Sequence, residues 1–67
     1  MRKILTKREK EVFQLLIYNN STDLIAEKLN ISVKTVRNHI SNVILKLGVS
    51  DRTQAIVELL RLDEINL

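Results

Sequence analysis

Within the stretch KTVRNHISN, Lys34, Thr35, Arg37, Asn38, Ser41 and Asn42 each offer a hydrogen-bond donor or a positive charge, and none is acidic. An ordinary solvated helix face mixes signs, with Glu and Lys placed to pair four residues apart. A face made only of cations and neutral polar groups suits an anion. Ser32, Lys34 and Thr35 stand at its start, where free backbone N–H groups and the helix dipole attract phosphate. One turn on come Arg37, Asn38 and Ser41. Arg matches guanine and Asn matches adenine through paired hydrogen bonds, so these three are candidates for reading base edges.

Chemistry that makes or breaks bonds is not indicated. There is no Ser–His–Asp order, no glycine-rich phosphate loop and no cysteine. His39 is the only histidine, and a lone histidine is a poor metal site; it reads as a surface hydrogen-bonding residue. Glu9 and Glu11 resemble paired carboxylates, but residues two apart on a helix face different ways. No catalytic residue, metal or cofactor is expected, and a four-helix chain this small leaves little volume for a pocket.

The elements that must position the polar face follow from periodicity. Val33, Val36, Ile40, Val43, Ile44 and Leu47 lie within roughly 60° of one line at helical spacing. They form a core-facing stripe opposite the polar side. Ser32 is placed to cap this helix, over 33–47, and Gly48 to end it. Thr6 with Glu9 matches the capping box of a first helix over 7–18, whose apolar side is Val12, Phe13, Leu15, Leu16 and Ile17. Asn19 and Asn20 are plausible stops, because Asn tolerates the left-handed conformation. Ser21 then caps a short helix over 22–29, with Leu24, Ile25 and Leu29 apolar. Ser50 or Asp51 caps a fourth helix over 52–62. There Ala55, Ile56, Leu59 and Leu62 share one face, while Val57 and Leu60 lie off its edge. Those two are either scattered surface residues or a contact for a second subunit. Arg52, at the positive end of the fourth helix, opposes the dipole and is expected to have a carboxylate or carbonyl partner.

With 67 residues, no Pro, one Gly and a 45% apolar fraction, the expected fold is all-α and a single domain, 1–67. The net charge of +3 is modest, but Lys28 to Ser50 holds four Lys/Arg and no acid. No apolar run is long enough for a membrane span, and the basic start lacks the apolar core of a secretory signal. The chain is therefore expected in the cytoplasm, at the nucleoid.

A short helix, a turn of about three residues and a longer helix with a basic outer face make the helix-turn-helix pattern. The major groove of DNA admits one helix, and its base edges distinguish all four base pairs. Beyond the pattern, LTKREKEVFQLL followed by IAEKLNISVKTVRNHISNVILKLGVSDRTQA resembles the LuxR-type helix-turn-helix domains from Leu5 to about Leu60. The stretches TVRNHISN, KLGV and QAIVELLR are similar to a stand-alone sporulation regulator of that family. The resemblance implies a four-helix transcription factor binding double-stranded DNA as a homodimer, through its third helix, with the fourth helix supplying dimer contacts. It places base reading at Arg37, Asn38 and Ser41, and phosphate contacts around Thr22, Ser32, Lys34, Thr35 and Lys46. The dimer contact would fall at Val57 and Leu60. Departures from the family pattern are Asn19 for a usual Gly, Leu24 for a usual capping Glu, and Leu45 for a polar outer residue. The alternative is a helical protein-interaction module, with the outer face of the third helix meeting an acidic partner such as RNA polymerase or another regulator. Asn38 beside Arg37 on an acid-free face suits base edges better than carboxylates.

Overall fold

The structure, a computed structural model, describes residues 4–67. Among these residues there are four helices and no strand: α1 (Lys7–Leu16), α2 (Thr22–Leu29), α3 (Val33–Leu47) and α4 (Arg52–Arg61). Each helix begins with a hydroxyl or carboxylate accepting from the third backbone N–H of its first turn. Thr6, Ser21, Ser32 and Asp51 fill this role in turn. At α1 the box is complete, since the Thr6 N–H donates to Glu9 Oε1 at 3.0 Å. The loss of the capping glutamate at Leu24 does not prevent α2, because Ser21 Oγ still accepts from the Leu24 N–H at 3.1 Å. Of the two candidates before α4, Asp51 is the cap and accepts from Gln54 N–H.

Three helix ends close in the same way. Asn30, Gly48 and Asp63 each adopt positive φ, and paired backbone bonds fold the chain back across the last turn. Ile31 N–H donates to Ala26 O, Val49 to Ile44 O and Glu64 to Leu59 O. This reversal satisfies carbonyls that the helix leaves open. It also drops Ile31 and Val49 onto the core. Asn19 takes the left-handed conformation too, with φ 65°, as expected of an asparagine in a glycine's place. α1 is shorter than its periodicity suggests, ending at Leu16 instead of Tyr18. Tyr18 and Asn19 bond back three residues to Leu15 and Leu16, and Asn20 Nδ2 also takes the Leu15 carbonyl at 2.7 Å. Those bonds tighten the final turn and stop the helix. α4 ends one residue early, at Arg61, where the reversal at Asp63 begins.

α3 is the hub, packing against each of the other three helices. Val36, Ile40 and Val43 are buried from its stripe, while Val33, Ile44 and Leu47 pack at the margin. They meet Leu5, Val12, Phe13 and Leu16 from the N-terminal side, Ile25 and Ala26 from α2, and Ala55 and Leu59 from α4 in one core. Leu24 is exposed, and Ala26 holds the buried place on α2 instead. Leu62, expected on the core face of α4, is exposed because the helix has already ended. Its place is taken by Ile65, 1% exposed, which the reversal at Asp63 turns inward. The returning segment is held by Gln14, whose side-chain carbonyl accepts from the Asn66 N–H at 3.1 Å and whose amide donates to the Asn66 carbonyl.

One buried charge fixes α3 along its length. Glu9 is 4% exposed and receives Lys46 Nζ at 2.5 Å, tying the first turn of α1 to the last turn of α3. Lys46 also reaches the Ile4 carbonyl at 3.4 Å. Burial pushes the Glu9 carboxyl upward, but the Lys46 ammonium and the amide and hydroxyl of Thr6 outweigh it. The group is held below the usual glutamate value. A carboxyl lowered by folding stabilises the fold above its unfolded value of about 4.3, and that contribution disappears as pH falls through the folded value.

Two outcomes follow for stability. Glu9→Gln should be less stable than the wild type at pH 7, and the gap should narrow as pH drops below about 4.3. Paired thermal melts at neutral and acid pH check this; a gap independent of pH contradicts it. Ile65→Ala should cost about 2–5 kcal/mol in urea unfolding, as for a buried residue, whereas a surface tail residue would cost almost nothing.

Candidate nucleic-acid interface

The polar side of α3 is what remains once its stripe is buried. Lys34, Arg37, Asn38, Ser41 and Asn42 are exposed. Among the described residues, none of these five side chains makes a hydrogen bond or an ion pair. The contrast with other charges is direct, since Arg8 pairs with Glu11, Lys46 with Glu9 and Arg61 with Glu58. No acid lies in the first turn of α3. Each buried side-chain polar group of the described residues has a partner, so the unused donors collect on the surface, and on α3 they collect on one face. Arg37, Asn38 and Ser41 lie within about 100° of one another around the helix axis, consistent with a single contacting surface.

At the start of α3, Ser32 Oγ accepts from the Thr35 N–H at 3.0 Å and lies 2.8 Å from Thr35 Oγ1. These two hydroxyls therefore bond one another while Ser32 caps the helix. Thr22, at the start of α2, is half-buried and its hydroxyl makes no hydrogen bond among the described residues. Of the residues named for phosphate contact, Lys46 differs most from its expected state. Its ammonium is bound to Glu9 and Ile4, so its charge is largely neutralised within the protein. The sequence could have signalled this, because Glu9 is a helical residue flanked by core positions Leu5, Val12 and Phe13.

The fourth helix presents Val57, 59% exposed, on its outer side. Leu60, expected beside it, is half-buried and packs on the core, so of the two only Val57 stands fully on the surface. Leu45 is 78% exposed at the far end of the polar face of α3, where its departure from a polar residue leaves an apolar side chain in solvent. Arg52 does not have the partner expected of it. It is exposed and makes no hydrogen bond or ion pair among the described residues. The neighbouring carboxylate, Asp51, accepts from the Gln54 amide instead.

Known proteins share this arrangement. The family described as bacterial regulatory proteins, luxR family, matches residues 3–59. The spore germination protein GerE of Bacillus subtilis is 61% identical over 64 residues, covering 96% of this chain and 86% of that protein. The transcriptional regulatory protein DegU of Brevibacillus brevis is 56% identical over 55 residues, which are 82% of this chain but 23% of that protein. The solved structure of the transcription factor GerE superposes with a TM-score of 0.95 at 63% identity, covering 97% of both chains. The response regulator ChrA, of a heme-sensing two-component system, superposes with a TM-score of 0.86 at 38% identity, over 97% of this chain and 32% of that one. The match thus spans most of GerE and a minor part of the longer regulators. The family match over residues 3–59 and the 61% identity to GerE, on four helices that superpose on the GerE structure, place the chain in the luxR family of bacterial regulatory proteins.

Proposed function

We propose that this protein is a sequence-specific regulator of transcription, not an enzyme, and that it binds double-stranded DNA by inserting α3 into the major groove. The observation that carries the reading is the unpartnered polar face of α3, opposite a stripe that is buried. A reader helix needs both sides: one to hold it on the domain and one to probe. Arg37, Asn38 and Ser41 contact base edges. Lys34, Thr35, Ser32 and Thr22 contact phosphates and set the register. Lys46 contributes less to phosphate binding than its charge suggests, because Glu9 already holds it. The kinship with regulators that act in transcription supports the same role here, and the spore germination relative supports a role connected with spores. Such a regulator works in the cytoplasm at the nucleoid, with RNA polymerase as a further partner.

One helix reads only a few base pairs, so useful discrimination in a genome needs two copies bound together. Val57 supplies the exposed apolar contact between subunits, with Leu60 beneath it as part of the support. The patch is small, which favours a weak dimer in solution completed by DNA holding both subunits.

Binding should weaken with salt, log affinity falling against log salt with a slope of about −5 if six phosphates are neutralised per dimer. Arg37→Ala should cost about 1–3 kcal/mol on the preferred site and little on random duplex, and Asn38→Ala should relax preference at a different base pair. Mobility-shift titrations on both duplexes decide this; equal losses on the two would make Arg37 and Asn38 phosphate contacts. For assembly, paired half-sites should lie with centres about 10 base pairs apart. Val57→Asp should leave the monomer folded and abolish cooperative filling of two half-sites. Cooperative filling by this variant would place the interface elsewhere.

A further inference from the structure

A groove of about 390 Å³ runs between the outer edge of α3 and the start of α4, lined by Arg37, Ile40, Ser41, Ile44, Asp51 and Arg52. We propose that this groove seats one sugar–phosphate unit of the DNA strand, with Arg52 holding the phosphate beside the base pair that Arg37 reads. The inference rests on the DNA-binding reading above and adds a fourth-helix contact to it.

The placement follows from the helical positions. Arg37 lies toward the Ile44 side of α3, roughly 60° from the centre of the core stripe, and Ser41 is at roughly 100° on the same side. That edge of the reader face is the one that meets α4. A strand leaving the bases under Arg37 and Ser41 would therefore pass over the groove. The lining matches the chemistry of such a unit. Half-buried Ile44 offers an apolar floor for a deoxyribose, and Arg37 from α3 and Arg52 from α4 both line the groove. Neither guanidinium makes an ion pair or hydrogen bond among the described residues. The one acid at the rim, Asp51, accepts the Gln54 N–H at 2.9 Å, so part of its acceptor capacity is already used by the helix. A cation in the first turn of a helix is unfavourable for the fold by itself. Arg52 thus fits a contact made outside the protein better than a stabilising one within it. A guanidinium also binds two phosphate oxygens at once, which fixes direction as well as position.

The test is binding of two fluorescent duplexes, one of random sequence and one carrying the preferred site, across a salt series, with wild type, Arg52→Ala, Arg52→Gln, Lys34→Ala and Arg37→Ala compared. Melting of each free protein confirms folding, and Arg52→Gln keeps the side-chain stem if the alanine variant is disturbed. Loss of one phosphate contact should flatten the slope of log affinity against log salt by about 0.9 per subunit. Affinity for random duplex should fall at low salt, while the ratio of specific to random binding stays as in the wild type. If both Arg52 variants keep the wild-type slope while Lys34→Ala flattens it, the groove does not hold a phosphate and the inference is overturned. A changed specific-to-random ratio also overturns it, since Arg52 would then read a base. If no variant alters binding, including Arg37→Ala and Lys34→Ala, the failure belongs to the α3 reading itself.

Discussion

α3 has to be held from one side only. Fifteen residues of helix are fixed by a stripe of which Val36 and Val43 are fully buried and Ile40 nearly so. All three other helices contact it. Everything else in the chain can be understood as supplying walls for that stripe while leaving the opposite face untouched. A helix buried all round could not probe a partner, and one exposed all round would not stay helical at this length. The small aliphatic core, with Phe13 as its one buried aromatic, is sufficient because each helix end is also secured by a cap or a reversal.

Holding the stripe does not by itself fix how α3 is rotated or slid against its neighbours. The Glu9–Lys46 pair does that at the far end, joining residues 37 positions apart. An ion pair with one buried partner adds little net stability, but it penalises arrangements in which the buried charge is left alone. Its directional bonds therefore favour one register for α3. The same pair divides the cations of α3 into two kinds. Lys46 is engaged in structure, while Lys34 and Arg37 remain available, so the basic character of the helix is concentrated in its first half. That half is the part a helix-turn-helix protein directs at base edges.

Much of this was legible in the sequence, because it depends on local chemistry. The caps Thr6, Ser21 and Ser32, the stops at Asn19 and Gly48, and the two-faced pattern of α3 are all short-range signals. The features that were hidden are long-range. Nothing local announces that Lys46 will meet Glu9, or that Ile65 will turn back into the core beyond α4. The reversal at Asp63 depends on a left-handed aspartate, a weaker signal than the glycine at residue 48. Leu60 is a related case: a helical wheel gives its angle, but not that it packs half-buried against the core. The polar face could be read as a surface, yet which of its members bind base and which bind phosphate depends on the docked geometry. A wheel alone does not contain that geometry.

The DNA-binding reading rests on the first half of α3 as the contacting surface. The most direct measurement is backbone amide chemical-shift mapping of the isotope-labelled protein, titrated with a duplex carrying its preferred site. The largest shifts are expected at Ser32 to Asn42 and at the start of α2, with small changes along the outer side of α1. Shifts concentrated on α1 around Lys7, Lys10 and Gln14, with Arg37, Asn38 and Ser41 unmoved, would contradict it.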